Sequence, residues 1–296
     1  MTAEDSVFLP VTLGLVMFGI GLNLHFSNFK SVFVAPKAVI FGAFGQMMML
    51  PVIAFAIAVF WPMDNIHKLG LILIAACPGG TASNLVTFLL RGRVELSVAM
   101  TTINSFLILL TIPFYIRLAS RMFMVDTGQV EVGFWYVFSE IFFTVLIPVI
   151  AGMMVNSWMP DLTQRLRKPL RYILPAVLLC VFAVVLFGGN GSGAKDVMTN
   201  WVLFFPAFIL NIASMLFGHF SAKIVGINHR GSYTIAIEVG LQNSVLAIYL
   251  ASSVIGQEDV ALMAVIYGSF SFFTTLGLGY LLEQSGYRNR RKLKAD

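Results

Sequence analysis

Long apolar runs recur along this 296-residue chain and limit the folds that are open to it. A soluble domain carries roughly 25% charged residues, whereas this chain is 58% hydrophobic and 11% charged. About 20 apolar residues in a helix cross the hydrocarbon layer of a bilayer. Short alternating β segments are absent, which argues against a closed barrel. The sequence therefore predicts an all-α, polytopic membrane protein.

Nine transmembrane helices are expected, separated by short polar or Gly/Pro/Asn segments that leave no room for a soluble domain. If the C-terminus is cytoplasmic, 15 of the 19 Lys and Arg residues lie inside, as the positive-inside rule requires. This cytoplasmic face explains the net charge of +5 better than nucleic acid does. The N-terminus is therefore predicted outside a cell membrane. The spans are approximately 7–24, 37–61, 68–90, 95–116, 133–155, 170–189, 200–222, 231–254 and 259–283.

Two of the spans, the third and the eighth, contain polar breaks at Cys77–Asn84 and Glu238–Asn243. Pro78 removes a backbone donor, and the adjacent Gly79 and Gly80 disfavour a helix. Broken backbone at membrane depth must be surrounded by protein or water. The third and eighth spans are five apart, so they run in opposite directions across the membrane, as the two halves of an inverted repeat do. Paired breaks at corresponding positions of such a repeat indicate the binding site of a transporter.

Glu238 lies near the middle of the eighth span, where a charge costs at least about 2.5–3.5 kcal/mol. A cation, a proton or a hydrogen-bonded partner must compensate for that cost. One alternative is a protonated acid that only ties helices together. Gln242 follows four residues later and shares the helical face of Glu238. If the helix is broken there, freed carbonyls such as those of Val239 and Leu241 can join the side-chain oxygens around a hard cation.

Further oxygen donors lie in the third and fourth spans. Ser97 and Thr101 are four residues apart and present two hydroxyls on one helical face, although packing between helices also explains such residues. Ser83 and Asn84 add two donors at the first break. Neutral oxygens around the single carboxylate of Glu238 suit Na⁺, whereas Ca²⁺ sites have several carboxylates and zinc sites have His or Cys clusters.

Lone amides in other spans are ambiguous, since an interhelical hydrogen bond explains Gln46, Asn104 or Asn211 as well as a ligand role does. Glu140 and His219 lie near span ends and are interpreted as structural. An intramembrane protease would need two central Asp residues or a nucleophile with a histidine partner. No span has a central Asp, and only His219 falls within a span, so an enzyme is not expected.

Four motifs resemble the bile acid:sodium symporter family, and the resemblance extends over essentially the whole chain. The motifs are CPGGTASN at 77–84, RGRVELSV at 91–98, EVGLQNS at 238–244 and, less specific alone, MFGIGL at 17–22. The resemblance implies inverted repeats that form a core and a panel domain, with two crossed discontinuous helices at spans three and eight. The core would cover approximately 37–116 and 200–283, and the panel approximately 7–24 and 133–189.

The resemblance also implies two sodium sites and a neighbouring substrate site. By this resemblance, the ligands of the first sodium ion would be Ser83, Asn84, Ser97, Thr101 and Glu238. The second carries over onto Gln46, Glu238, Val239, Leu241 and Gln242, with Val239 and Leu241 acting through their carbonyls. Substrate contacts carry over onto Thr81 and Asn243. The segment 267–275 lacks the His-Asn pair that several bacterial relatives have there, which leaves the substrate open.

The function implied is sodium-coupled symport of an organic anion by alternating access, with about two Na⁺ per cycle and no cofactor. The anion would be bile acid-like or a small carboxylate or sulfate. A proton-coupled transporter of the same fold and a non-transporting membrane sensor are the alternatives. Beyond the substrate, Na⁺ and the lipid bilayer, no nucleic acid or obligate protein partner is expected.

Overall fold

The computed structural model describes residues 5–25, 36–123, 133–166, 169 and 199–292. All regular structure in these ranges is helical. Helices are numbered here in chain order, and residues 160–166 are also helical. The helices are α1 (Asp5–Asn23), α2 (Pro36–Phe60), α3 (Asn65–Ala76), α4 (Thr81–Leu89), α5 (Val94–Phe123), α6 (Phe134–Trp158), α7 (Trp201–Ile224), α8 (His229–Gly240), α9 (Ser244–Tyr249, continued by a π-helical Leu250–Ile255) and α10 (Glu258–Lys292).

Six spans are long and apolar enough to cross a membrane: α2, α5, α6, α7, α8 together with α9, and α10. Helices α3 and α4 form a pair bent by 60° that qualifies as a seventh, and α1 is apolar over the shorter stretch Pro10–Asn23. The prediction of an all-α, polytopic membrane protein is therefore confirmed. The predicted sixth span, 170–189, lies outside the described residues, so the count of nine remains a prediction.

Two helices contain a π-helical turn that ends two residues before a proline. In α2 the turn is Gly45–Met49 and Pro51 follows it; in α6 it is Phe142–Leu146 and Pro148 follows it. Proline has no N–H and its ring clashes with the carbonyl four residues earlier, and a wider turn accommodates both effects. In α2 the turn carries Gln46 with its side chain fully buried.

Helix α1 packs along α6 through a crossing of small residues. A Cβ added to Gly21 would overlap the Val149 carbonyl, and one added to Gly152 would overlap the Phe18 carbonyl. Close backbone approach of this kind is how membrane helices gain packing energy. The Asn156 amide also donates to the Leu24 carbonyl at 2.7 Å, which fixes the end of α1 on α6.

The broken span α8–α9 is the most enclosed part of the described structure. Within its hydrophobic window 94% of the residues are buried, whereas the other long spans reach 39–67%. Helix α8 packs against α4, α5, α7 and α10, and α9 packs against α1 and α10. The polar break of this span is therefore shielded from lipid by neighbouring helices, as broken backbone at membrane depth requires.

The turn between α4 and α5 is attached to the first turns of α8. Arg230 donates from Nη2 to the Arg91 carbonyl at 2.7 Å, and the Tyr233 hydroxyl donates to the same carbonyl at 3.0 Å. The Arg93 N–H donates to Thr234 Oγ1 at 2.9 Å. These bonds use the Arg91 carbonyl of the turn and the Arg93 N–H just before α5, and they hold the turn against α8.

The glycine crossing of α1 and α6 predicts a difference between two identical substitutions on α1. Gly21→Ala inserts a methyl group where the Val149 backbone lies, whereas Gly14→Ala meets its nearest atom, Pro148 Cγ, at 4.0 Å. Overpacking costs about 1–3 kcal/mol, which corresponds to a Tm lowered by roughly 2–12 °C. Thermal unfolding of the purified protein in detergent measures this. Equal effects of the two substitutions would contradict the proposed packing.

Candidate functional site

The two broken spans contact each other at their breaks. Between α3 and α4 the helix is interrupted over Cys77–Gly80, and between α8 and α9 it is interrupted over Leu241–Asn243. The Asn243 N–H donates to the Pro78 carbonyl at 2.9 Å, which joins one break directly to the other. Both interruptions lie inside the predicted polar segments. The sequence-based prediction that the breaks form one site is consistent with this contact.

The breaks are shorter than the polar segments that predicted them. Asn84 lies within α4, which begins at Thr81, and Glu238 lies in the last turn of α8, which continues to Gly240. The first break is confined to Cys77–Gly80, with extended backbone at Cys77 and Gly80, because the residues that follow can again form helical hydrogen bonds. The functional side chains therefore project from helix ends that flank the interruptions.

Gly79 brings the first break against Glu238. A Cβ on Gly79 would lie 2.7 Å from Glu238 Oε1 and 3.1 Å from Ser83 Oγ. Both distances are shorter than ordinary van der Waals contact, so a side chain on residue 79 would push the Glu238 carboxylate or the Ser83 hydroxyl away. Ser83 donates to the Gly80 carbonyl at 2.8 Å, which holds its hydroxyl beside the start of α4. The Glu238 carboxylate and the Ser83 hydroxyl therefore both lie next to Gly79.

The Glu238 carboxylate is fully buried and accepts a hydroxyl at each oxygen. Ser97 donates to Oε2 at 2.6 Å, and Thr101 donates to Oε1 at 2.5 Å. These residues lie one turn apart on α5, so the predicted shared face is confirmed. Among the described residues, Glu238 forms no ion pair with Lys, Arg or His. A buried carboxylate that is held by neutral groups alone is a strong attractor for a cation.

Asn84, one residue after Ser83 on α4, has an unpaired side-chain oxygen. Its Oδ1 is buried and has no hydrogen-bond donor among the described residues. A buried acceptor without a partner costs about 1–3 kcal/mol, and a hard cation would remove that cost. No hydrogen bond of the described residues joins Asn84 to Glu238, so the amide oxygen is available to another ligand.

A chain of buried amides leads from α5 to the second break. Asn104 Nδ2 donates to Gln46 Oε1 at 2.6 Å, and Gln46 Nε2 donates to Gln242 Oε1 at 3.2 Å. Gln242 Nε2 then donates to the Val239 carbonyl at 2.6 Å. A carbonyl only accepts, so Val239 fixes the direction of all three amides. The structure thus brings Gln46, Gln242 and Val239 together, and Leu241 lies in the break beside them.

Three site residues had no assigned role in the sequence. Asn104 was ambiguous, but its spacing of three residues after Thr101 does place it on the α5 face that meets Glu238. Asn211 and Tyr267 both donate to the Gly240 carbonyl, at 2.7 and 2.6 Å. The lone amide of Asn211 in an apolar span indicated a partner but not which one, and no local pattern indicates Tyr267, because their shared partner lies on a different span.

The predicted substrate residues flank the two breaks. Thr81 is exposed at the first turn of α4. Asn243 is half-buried, and its Oδ1 caps α9 by accepting from the Leu246 N–H at 3.1 Å. Its Nδ2 lies 3.9 Å from the position that a Cβ on Gly80 would take. Away from the breaks, Glu140 accepts from the Tyr249 hydroxyl at 2.8 Å and joins α6 to α9, a contact of the structural kind expected for it.

Comparisons with known proteins support a single family. Residues 10–194 match the model of the sodium bile acid symporter family. A Bacillus subtilis protein described as an uncharacterized sodium-dependent transporter is 32% identical over 250 residues, which cover 84% of this chain and 74% of that protein. A probable chloroplastic sodium/metabolite cotransporter of Arabidopsis thaliana is 31% identical over 253 residues, 85% of this chain and 60% of the relative. The human ileal sodium/bile acid cotransporter is 26% identical over 295 residues, 97% of this chain and 82% of that protein.

These relatives are sodium-coupled transporters and not enzymes, as expected for this chain. The family match covers more than half of the residues, and the Bacillus subtilis protein is similar along most of both chains. The chain therefore belongs to the sodium bile acid symporter family.

Proposed function

We propose that this protein uses the inward movement of Na⁺ to take up an organic anion, with two sodium sites that share the Glu238 carboxylate. The observation that carries the proposal is the burial of that carboxylate among hydroxyls, amides and broken backbone, with no basic partner among the described residues. A charge at membrane depth needs a compensating partner. Neutral oxygens around one carboxylate favour a monovalent hard cation over Ca²⁺ or Zn²⁺.

The first sodium ion would lie between α4, α5 and the end of α8. Two observations support this location: the close approach of Glu238 and Ser83 around Gly79, and the unpaired oxygen of Asn84. The hydroxyl oxygens on α5 keep lone pairs after they donate to Glu238, so they can also face an ion. The proposed ligands are Ser83, Asn84, Ser97, Thr101 and Glu238.

The second sodium ion would lie at the break between α8 and α9. In the described arrangement Gln242 donates its amide to the Val239 carbonyl. An ion at this carbonyl would favour rotation of the Gln242 amide, so that its oxygen turns toward the ion and the N–H turns away. Because Gln46 is bonded to Gln242, it would reorient as well. The proposed ligands are Gln46, Glu238, Val239, Leu241 and Gln242.

The organic anion would bind beside the crossing of the two breaks. Helices α3 and α8 end there with free carbonyls, which favour cations, and α4 begins there with free N–H groups, which favour an anion. Thr81 and the Nδ2 of Asn243 are the proposed polar contacts of the substrate. In this arrangement the sodium ions and the organic anion bind at different helix ends but within one site.

Alternating access would follow from movement between two groups of helices. The close pairing of α1 with α6 supports a panel of about 7–24 and 133–189, and the packing of α8 among α4, α5, α7 and α10 supports a core of about 37–116 and 200–283. With the C-terminus in the cytoplasm, each net positive charge carried inward gains about 2.3 kcal/mol per 100 mV. Two Na⁺ with one monovalent anion would therefore make transport electrogenic.

Sodium dependence is the first test of the proposed function. NaCl at about 100 times the dissociation constant should stabilise the purified protein by about 2.7 kcal/mol for each ion bound, and this is measured as a rise in Tm over the same concentration of choline chloride. Equal Tm values in the two salts, with a rise on lowering the pH instead, would favour the proton-coupled alternative. Na⁺-dependent stabilisation without accumulation of any anion in liposomes would favour a sensor.

The shared carboxylate predicts loss of both ions from one substitution. Glu238→Gln keeps the shape but removes the charge, so the Na⁺-dependent rise in Tm and Na⁺-driven uptake should disappear together. Glu140→Gln is the matched control, because Glu140 is also a glutamate within a membrane span, but it is only half-buried and bonds Tyr249 instead. A Glu238→Gln protein that still responds to Na⁺ would exclude Glu238 as the shared ligand.

The α5 hydroxyls predict a graded loss of sodium affinity. Ser97→Ala or Thr101→Val removes one oxygen and one hydrogen bond to the carboxylate, a contact that is worth roughly 1.5–3 kcal/mol. The Na⁺ concentration that gives half of the Tm rise should therefore increase by about 10-fold or more. Thr102→Val is the control, since this buried neighbour donates to the Val98 carbonyl of its own helix. If the half-saturating Na⁺ concentration is the same in all three variants, the α5 hydroxyls contribute only to helix packing and not to Na⁺ binding.

A further inference from the structure

The Gly240 carbonyl is held by two side chains from other helices. Helix α8 ends at Gly240, and the Ser244 N–H that would continue the helix bonds to the Gln242 carbonyl at 3.1 Å instead. Asn211 Nδ2 on α7 donates to the Gly240 oxygen at 2.7 Å, and the Tyr267 hydroxyl on α10 donates to it at 2.6 Å. Both donors occupy the lone pairs of that oxygen.

The donors themselves are fixed in place. Asn211 and Tyr267 are fully buried. The Thr274 hydroxyl donates to Asn211 Oδ1 at 2.7 Å, so the amide turns its N–H groups toward Gly240 and toward Thr275 Oγ1 at 3.1 Å. A side chain on Gly240 would overlap Met215 of α7, so the backbone lies directly against these helices. Because the Gly240 carbonyl accepts hydrogen bonds from two different helices, the peptide unit that contains it cannot rotate without breaking them.

The direction of this carbonyl determines where its neighbours point. Leu241 has an extended backbone, with φ −106° and ψ 115°, and the carbonyls on either side of an extended residue point in opposite directions. When the Gly240 oxygen faces α7 and α10, the Leu241 oxygen faces away from them. The Val239 oxygen is already on the side of Gln242, from which it accepts a hydrogen bond.

We propose that Asn211 and Tyr267 are positioning residues for the second sodium site, because they hold the Gly240 carbonyl so that the Val239 and Leu241 carbonyls face the ion. The inference rests on the proposed function, since it takes these two carbonyls as Na⁺ ligands. Neither side chain touches the ion. Their effect is to keep one of three consecutive carbonyls out of the coordination shell and to orient the other two.

The test is the sodium affinity of the purified full-length protein carrying Tyr267→Phe, Asn211→Leu or both. Tyr267→Phe removes one hydroxyl and leaves the ring in place. The Na⁺ concentration at half of the Tm rise should increase by about 3- to 10-fold for each single variant, as loss of one neutral hydrogen bond implies, and most for the double variant. Tyr233→Phe is the matched control, because this buried tyrosine donates to the Arg91 carbonyl, away from the site.

Sodium affinity separates positioning from a structural role. A structural role lowers the Tm in choline chloride but leaves the half-saturating Na⁺ concentration unchanged, and that outcome would overturn the inference. If Asn211→Leu fails to fold, Tyr267→Phe alone decides. Absence of any Na⁺ response in the unsubstituted protein would overturn the proposed function and the inference with it, whereas a normal wild-type response with unshifted variants would overturn the inference alone.

Discussion

A carboxylate buried at membrane depth is the constraint on which the rest of this structure depends. Glu238 is fully enclosed and is held by two hydroxyls and no basic residue among those described. Burial of a charge is tolerated only when the surroundings compensate for it. Around Glu238 the hydroxyls of Ser97 and Thr101 supply part of that compensation, and a sodium ion would supply the rest in the function proposed above.

The broken helices are the second requirement, because intact helices have no free carbonyls to offer an ion. Interruptions at Cys77–Gly80 and Leu241–Asn243 release backbone groups, and a hydrogen bond from Asn243 to Pro78 ties the interruptions together. The freed groups are then assigned to different partners. Some bond to each other, and the Gly240 carbonyl is held by α7 and α10. In the proposed function, the Val239 and Leu241 carbonyls bind Na⁺, so the same short stretch of backbone would serve both stability and binding.

The features that local sequence determines were predictable. Apolar runs gave the helical membrane class, Pro78 with its glycines marked a break, and the spacing of Ser97 and Thr101 placed two hydroxyls on one face. The predicted breaks were too long, because helices resume as soon as residues that form helical hydrogen bonds return. The π-helical turn at Gly45–Met49 was not predicted, although Pro51 beside it is its local cause.

Contacts between distant spans were not predictable from one sequence. The amide chain joins Asn104, Gln46 and Gln242, which are separated by 58 and 196 residues along the chain. Asn211 and Tyr267 meet at Gly240 for the same reason: three spans must pack before any of the three residues has a partner. A polar residue in an apolar span indicates that a partner exists, and only the packed structure indicates which residue it is.

In the proposed function, Glu238 and the two breaks form one compartment for two sodium ions. Equilibrium binding of radioactive Na⁺ to the purified protein, titrated to saturation in choline-balanced buffer, counts those ions directly. Two ions should bind per chain, both displaced by excess unlabelled Na⁺ and not by choline. Saturation at a single ion, or no saturable binding, would contradict it.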